Sequence, residues 1–425
     1  MSRDVSGNYT LPVGNPVVTA TPITSTWANN TLNDIKDALT DSLSRTGNGG
    51  MTAPLAGVNG TALLPAYTFS SEPTLGFYRP AAGVLASTGP LQLPGNVTQP
   101  LQAVPLQQLT NYQPTFRNKL INGDFSVWQR GASQSTPGYG SDDRWINYHQ
   151  GSTKLHSREV FPLGQTDVPG NPTFFSRTVV TSVAGANNLV IKAQEIENVR
   201  TLSGVNARVS FSAKADAARP IAISMAQNFG TGGSPSAAVN AIGSQKFNLT
   251  TAWQRFSATI AIPSIVGKVL GSADNDNLEL IFWFDAGSTW NDRTASLGQQ
   301  SGTFDIANVQ VEESTFETEF EQRPLTIELV LCQRYYQVGQ VGTYSTTTYI
   351  GHSLTLPVVM RTTPSITFFD AAGNANRVTT AASGNNVTPS GGAVTASNSS
   401  FRIDMSIPSA AGNWWLMNYA LDAEV

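Results

Sequence analysis

Nine prolines, at positions 54, 65, 73, 80, 90, 94, 100, 105 and 114, break the stretch from Met51 to Pro114 into apolar runs only a few residues long. Proline fixes φ and has no N–H to donate, so this stretch favours neither a long helix nor a central strand. A segment of such length with so little apolar bulk cannot close a core by itself. The aromatics Tyr67, Phe69, Phe77 and Tyr78 argue against a wholly disordered linker. The expectation for residues 51–115 is a thin shaft, in which several copies of the chain wind together and cover surface that no single copy could bury.

The preceding residues suit the same plan. From Tyr9 to Pro22, Pro12 and Pro16 stand among β-branched residues, which favours extended chain able to drape over a partner. From Thr26 to Leu43 the pattern turns helical, with Ala28, Leu32, Ile35 and Leu39 forming a narrow stripe before Gly47, Gly49 and Gly50 end it. A helix of this length is marginal alone in water, so its stripe must pack on something. A seam this narrow suits self-association, and the body of its own subunit is the alternative. Residues 1–50 therefore read as an attachment segment whose Ala28, Leu32, Ile35 and Leu39 meet neighbouring copies.

Past Phe116 the chain changes character. Only 13% of all residues are charged, and Gly and Pro number 37 and 24, the profile of many short strands joined by turns. Candidate strands are Leu189 to Ile196, Val209 to Ala213, Ile221 to Ala226, Phe256 to Ile262, Leu278 to Phe284 and Phe304 to Val311. Most alternate apolar and polar, as in Phe256, Ala258, Ile260 and Ile262, which turns one face toward a core. Strands without intervening helices across 116–323 imply a β-sandwich, most simply a jelly roll. A closing helix is expected within 324–338, from Pro324 to Tyr336. Its apolar residues Leu325, Ile327, Leu329, Val330, Leu331, Cys332, Tyr335 and Tyr336 point in several directions, so it should be buried from several sides. Residues 339–425 read as a small C-terminal β domain with strands at Tyr349 to Leu356, Ser365 to Phe369, Phe401 to Ile407 and Trp414 to Leu421. The Ala, Ser, Asn and Gly-rich run Thr379 to Ser400 reads as its surface loop. The fold class is thus mainly β, elongated and multi-domain.

Several functions lose support at this level. A formal net charge of −4, with 25 scattered Lys and Arg, provides no field for a polyanion, so nucleic acid is not an expected partner. The one cysteine, Cys332, excludes an intrachain disulfide and a cysteine-based zinc site. No run approaches the roughly 20 apolar residues of a bilayer span, so membrane insertion is not expected. The start Met1-Ser2-Arg3-Asp4 lacks signal-peptide order, pointing to synthesis and assembly in a cytoplasm. No nucleotide-cofactor motif and no Gly-x-Ser-x-Gly turn occurs, and His149, His156 and His352 show no metal-ligand spacing. These histidines read as surface or turn residues, and the acid pairs Asp142 with Asp143 and Asp274 with Asp276 as solvated turns. No catalytic residue, metal or cofactor is assigned.

Several stretches resemble the tail-fibre and head-fibre proteins of tailed bacteriophages. Gly7-Asn8-Tyr9-Thr10-Leu11-Pro12, Thr26-Trp27-Ala28-Asn29 and Ser44-Arg45-Thr46-Gly47-Asn48-Gly49-Gly50-Met51-Thr52 look like their particle-attaching ends. Tyr67-Thr68-Phe69 and Glu72-Pro73-Thr74-Leu75-Gly76-Phe77-Tyr78-Arg79-Pro80 are similar to a shaft element. Asn118-Lys119-Leu120-Ile121-Asn122-Gly123-Asp124-Phe125, Val127-Trp128-Gln129-Arg130-Gly131, Asp143-Arg144-Trp145 and Phe304-Asp305-Ile306-Ala307-Asn308-Val309-Gln310-Val311-Glu312 resemble a carbohydrate-binding-module-type jelly roll. Glu321-Gln322-Arg323-Pro324 and Leu331-Cys332-Gln333-Arg334-Tyr335-Tyr336 resemble its closing helix. The resemblance implies a homotrimeric virion fibre, anchored by its N-terminus to a portal, tail or capsid protein, with distal β domains facing a host-surface glycan. Similar modules sometimes hold a structural calcium, for which Asp124 or Asp305 would supply oxygen, but a single carboxylate per motif assigns no metal.

Saccharide sites use aromatic faces flanked by amides and carboxylates. Among Trp128, Trp145, Tyr148, Trp253, Trp283 and Trp290, the continuous apolar run around Trp283 places it in a core. Trp290, beside Asn291, Asp292 and Arg293 in a polar loop, is the best exposed. The ligand-binding candidates are Trp290, Asn291, Asp292, Arg293, Trp145 and Tyr148, although the motifs around Trp128 and Trp145 favour packing. Trp414 and Trp415 are adjacent on a strand, so only one can be core; Trp415 is assigned with the helix stripe to the trimer interface. Arg323 and Arg334 are expected to pair with Glu319, Glu321 or Glu328. Two rivals remain: a fibre that also degrades polysaccharide, and a capsid decoration fibre without a receptor role.

Overall fold

The computed structural model describes residues 18–20, 22–40, 58–89, 116–408 and 410–424. The chain divides into two units, Met1–Gln108 and Leu109–Val425. Most of the expected extended segment from Tyr9 to Pro22, the helix-ending glycines and the prolines at 54, 90, 94, 100, 105 and 114 lie outside the described residues.

In the first unit the expected helix runs over Ser25–Thr40. Thr24 caps it, its Oγ1 accepting the Trp27 N–H at 3.2 Å. Ala28 and Ile35 are half-buried, whereas Leu32 and Leu39 of the same stripe are exposed. The proline-rich stretch does form a small sheet, an antiparallel meander of β1 (Tyr67–Phe69), β2 (Glu72–Ala81) and β3 (Val84–Ser87). Its register shifts between Thr68 and Phe69 and between Tyr78 and Ala81, next to the positions of Pro73 and Pro80 in the central strand. The ladder is thus interrupted where proline has no N–H to offer. Gly76 is required where β1 crosses it, because a Cβ there would fall 1.8 Å from the Tyr67 carbonyl oxygen. Among residues 58–89 only Pro65 and Gly76 are buried; Leu63, Leu64, Tyr67, Phe69, Phe77 and Leu85 stay exposed. The apolar residues of this sheet therefore outnumber what it can bury.

The second unit begins with a two-sheet sandwich. Its strands are β4 (Ser133–Gln134), β5 (Ile146–Gln150), β6 (Thr153–Val160), β7 (Phe174–Thr181), β8 (Leu189–Glu197), β9 (Asn206–Ala215), β10 (Arg219–Asn228), β11 (Val239–Leu249), β12 (Gln254–Ala261), β13 (Asn277–Ala286) and β14 (Gly302–Glu313). They form a five-stranded sheet, β11-β10-β13-β8-β5, and a six-stranded sheet, β12-β9-β14-β7-β6-β4, antiparallel throughout. The chain passes repeatedly from one sheet to the other, the connectivity of a jelly roll. Alternate residues of facing strands make the core: Phe211 of β9 meets Phe282 of β13 edge-on at 5.0 Å, with Phe247 against Phe211 at 5.3 Å. All six strand expectations hold within a few residues, while β4, β5, β6, β7 and β11 were not expected.

Two expectations about polar residues fail here. His156 and Asp142, read as solvated, are completely buried, and Asp143 nearly so. Lys192 of β8 donates to Asp142, and His156 Nε2 lies 3.1 Å from the other oxygen of that carboxylate. Trp128 stacks on the His156 ring at 5.6 Å. Burial alone would raise the Asp142 pKa, but His156, once protonated, and Lys192 hold it well below the usual carboxylate range. Burial and the neighbouring Lys192 push His156 down to about 4 despite Asp142, so the imidazole is neutral near pH 7. The network pins the turn before β5 to β6 and β8.

The closing helix runs over Leu325–Gln333, shorter than expected, with Pro324 at its cap. It is not buried from several sides: Glu328 and Cys332 face inward, whereas Leu325, Ile327 and Val330 are exposed. Charge decides which side is held. Arg323 pairs with Glu321 and Glu328 at 3.3 and 3.4 Å, as expected, but Arg334 reaches back to Glu197 of β8 at 2.7 Å.

The C-terminal β domain contains β15 (Tyr336–Ser345), β16 (Tyr349–Thr355), β17 (Ser365–Phe369), β18 (Val378–Thr380), β19 (Gly384–Val387), β20 (Ser390–Ala396), β21 (Ser400–Ser406) and β22 (Asn413–Asp422). One sheet is ordered β15-β22-β18-β19 with β17 also on β22, the other β16-β21-β20. The run Thr379 to Ser400 is therefore not a loop, since it supplies β19, β20 and the end of β18; backbone pairing with β21 and β22 replaces the apolar pattern its side chains lack. Trp415 is only 2% exposed and packs in the core between the two sheets, which removes it from any interface between chains. Trp414, pointing the other way, is 63% exposed. This domain is tied to the sandwich through Arg130, which bonds Asp422 at 2.5 Å and Glu424 at 2.8 Å and lies over the Tyr336 ring at 3.7 Å.

Candidate functional site

The outer face of the five-stranded sheet gathers most of the predicted ligand-binding residues. In β13, Leu280, Phe282 and Phe284 point into the sandwich, so the alternation turns Glu279, Ile281 and Trp283 outward. Ile281 and Trp283 are nevertheless buried, because a segment after β13 folds back over them. That segment is a 3-10 turn, Ser288–Trp290, continuing into a short helix, Asn291–Thr294. Small residues beneath it, Ala222 and Ala193, leave room for Trp290 and Leu297 to pack as a secondary core. Trp283 donates from Nε1 to Ser224 Oγ at 2.9 Å, and the Trp283 and Trp290 rings lie 5.6 Å apart.

Trp290 is therefore half-buried, and its Nε1 is bonded to the Asn187 carbonyl at 3.2 Å. Only part of the indole faces solvent. Asn291 and Asp292 are exposed beside it, and the Arg293 guanidinium lies 5.4 Å from the Trp283 ring centre and 5.9 Å from that of Trp290. Tyr148 of β5 is exposed on the same face, in register with Ile191 of β8. Trp145 is not there: it is 0% exposed, wedged against Phe125 and Phe282, with Nε1 donating to the Asn122 carbonyl at 3.0 Å. It is a core residue and leaves the list of ligand contacts. A large indole whose N–H finds a carbonyl far back along the chain is satisfied internally, which the surrounding polar residues had obscured.

The sheet also places a pair of carboxylates that sequence reasoning missed. Glu195 of β8 and Glu279 of β13 are directly opposed in register and point to this outer face, with Ala226 of β10 beyond Glu279. Burial raises Glu279, the like charge of Glu195 raises it further, and Arg293 and Asn228 only partly oppose this, so its pKa is pushed up to about 7. Burial also raises Glu195, against the pull of Arg144, Tyr139 and Arg361. Tyr139 holds it with a hydrogen bond at 3.2 Å. Two half-buried acids side by side resist both being ionised, and here Glu279 is the one that holds its proton longer. The signal in the sequence was a glutamate at the outward position of the apolar run in β13 and another in β8, whose pairing along the sheet the sequence does not announce.

Chemically the face presents an exposed phenol, a partly open indole, a guanidinium, an amide and two carboxylates, a set of donors and acceptors matched to hydroxyl groups beside flat apolar surface. Among the described residues no group of three or more His, Cys, Asp or Glu side chains is placed to hold a metal. Asp305 is engaged on both oxygens by Arg177 at 2.8 Å, and Asp124 Oδ1 accepts the Ser126 N–H at 3.2 Å. Trp253 packs between Phe161 and Phe175 on the other sheet, away from this face.

No family model matches the chain, and no curated protein matches it. Similar solved structures include a putative sugar binding protein from Bacteroides thetaiotaomicron, 15% identical, covering 46% of this chain and 100% of that one with a TM-score of 0.27. They include the CBM22-2 xylan-binding domain from Paenibacillus barcinonensis, 15% identical, with coverage of 40% and 92% and a TM-score of 0.26. A third is the enzymatically active domain of tailspike protein 4 from bacteriophage CBA120, 12% identical with a TM-score of 0.26; the match covers 46% of this chain and only 21% of the tailspike.

Proposed function

We propose that this chain is a structural, glycan-binding subunit of a phage appendage, which binds a host-surface saccharide without cleaving it. The observation that carries the binding role is the convergence of Tyr148, Trp290, Arg293, Asn228 and the Glu195–Glu279 pair on one outer sheet face. The N-terminal segment attaches to a portal, tail or capsid protein, and three copies assemble into the fibre in the host cytoplasm before it joins the virion. Apolar side chains left exposed in the single chain support that assembly: Leu32 and Leu39 on the first helix, Tyr67, Phe69 and Leu85 in the small sheet. Three linked sites strengthen weak individual binding through effective concentration.

The test is binding of the full chain to surface polysaccharide from a susceptible host, with Tyr148→Ala and Arg293→Ala as variants. Both should reduce retention at least several-fold while the fold stays intact. Undiminished binding by both variants would remove this face from the function.

A second reading, hydrolysis of a glycosidic bond, has one observation in its favour: a carboxyl with its pKa near 7 opposite another acid is the pairing such a reaction uses. Release of new reducing ends from the same polysaccharide, abolished by Glu279→Gln, would favour it over binding alone.

A further inference from the structure

We propose that the C-terminal β domain carries a second saccharide site, for an uncharged pyranose, on the outer face of its β15-β22 sheet. It takes the same class of ligand as the sandwich face but shares none of its residues. The alternation along β22 that sends Trp415 into the core sends Trp414 out, and Tyr344, its register partner on β15, meets it edge-on at 6.0 Å. The two rings meet nearly at right angles, and Trp414 keeps 63% of its surface exposed, so indole surface remains open to a ligand.

Beside it lies a hollow of about 490 Å³, within the size range of small-ligand sites. Gly342 makes the floor, opposite Leu416; a Cβ there would come 2.4 Å from the Trp415 carbonyl oxygen and 3.1 Å from Leu416 Cδ1. Gln340 stands on the rim, its amide oriented by donating to Asn418 Oδ1 at 3.0 Å, which leaves its carbonyl oxygen to accept from a ligand. Thr379 adds a hydroxyl on the opposite side that accepts the Ala371 N–H at 2.9 Å and donates to Asn385 Oδ1 at 2.7 Å, which leaves it one lone pair for a ligand hydroxyl. Trp415 also lines the hollow, its indole packed in the core behind it. An indole face, an amide carbonyl and a hydroxyl around a small open floor are the complement of a sugar ring.

Charge narrows the ligand. All eight residues lining the hollow are uncharged. A uronic or sialic acid would lose hydration with no counter-charge in return, and an ammonium sugar would find no carboxylate. A neutral hexose or N-acetylhexosamine meets neither penalty. The sandwich face carries charge instead, in its two glutamates and Arg293, so the two sites would read different parts of a surface polysaccharide.

The test uses the full chain on immobilised neutral oligosaccharides, built from glucose, galactose, mannose or N-acetylglucosamine, alongside sialylated and uronic oligomers. Neutral oligomers should bind, and Trp414→Ala or Gln340→Ala should weaken that binding tenfold or more. Leu163→Ala, a fully exposed side chain outside both faces, should leave it within about twofold. Circular dichroism checks that the variants fold, which the exposure of Trp414 and Gln340 favours. No binding of any neutral oligomer, preference for the acidic ones, or wild-type affinity in Trp414→Ala would overturn the proposal. So would a fall in oligomer mass with Trp414→Ala, which would mean that a second copy of the chain covers the indole. Loss of binding in Tyr148→Ala alone, with Trp414→Ala unaffected, would leave the sandwich reading standing and this one refuted.

Discussion

Replacing Glu279 with glutamine should make the protein more stable above neutral pH and leave it unchanged near pH 4. The ordinary pKa of this side chain is 4.5, and in the fold it is pushed up to about 7 by burial and by Glu195. Between those values the unfolded chain has released a proton that the folded chain still holds, so stability falls as pH rises through this window and the loss is complete above it. The gap, at about 1.4 kcal/mol per pH unit, sets a ceiling of ~3.5 kcal/mol. Partial solvent access and readjustment of Arg293 reduce this to about 1–3 kcal/mol. The amide introduced by Glu279→Gln has nearly the same shape as the carboxyl, keeps a partner in Asn228 and never charges, so the variant escapes the loss. Urea denaturation followed by tryptophan fluorescence at pH 4, 5, 6, 7 and 8 measures it: the two curves should coincide at pH 4 and separate progressively to pH 8. Glu195→Gln should narrow the wild-type window by removing the like charge. Parallel wild-type and Glu279→Gln profiles across the range would refute the opposed-carboxylate argument.

Other perturbations follow from the same structure. Lys192→Met strands the Asp142 carboxylate in a site without solvent and should cost about 3–5 kcal/mol in urea denaturation; adding Asp142→Asn should recover part of it, and a loss below about 1 kcal/mol would mean that the pair is not charged. Arg130→Ala removes the bonds to Asp422 and Glu424, so limited proteolysis should release the C-terminal domain sooner while the sandwich persists; an unchanged digestion pattern would show that the remaining ties, Arg144 to Glu424 and Arg361 to the Asp274 carbonyl among them, suffice to secure it. Leu32→Asp with Ile35→Asp should lower the mass found by sedimentation to that of one chain and abolish incorporation into particles, and normal incorporation would count against the helix as an assembly seam.

The sandwich was legible because its strands carry the period-2 signal through their own side chains, as in Phe256 to Ile262, and because the run Leu280 to Phe284 is apolar on both faces. What could not be read was which outer residues a later segment would cover: the loop at Trp290 looked free, yet the exposed apolar face of β13 draws it down onto Trp283. Charged residues misled for a related reason. Asp142 finds Lys192 fifty residues further on, a pairing that spacing along the chain does not announce, so Asp142 and His156, which read as solvated and surface groups, are instead buried with it. The strands β19 and β20 were hidden because Ala, Gly, Ser and Asn carry no apolar pattern, and their stability comes from backbone pairing to β18 and β21. The adjacent tryptophans required one inward and one outward side chain; strand phase alone decides which, and it is set by pairing with β15.

The most direct test is equilibrium retention of the purified full chain on intact host-surface polysaccharide, with the soluble fraction assayed for new reducing ends throughout. Saturable binding, weakened in Tyr148→Ala and accompanied by no increase in reducing ends, is the predicted result. Steady release of reducing ends, or no retention on any susceptible host's polysaccharide, would contradict the account.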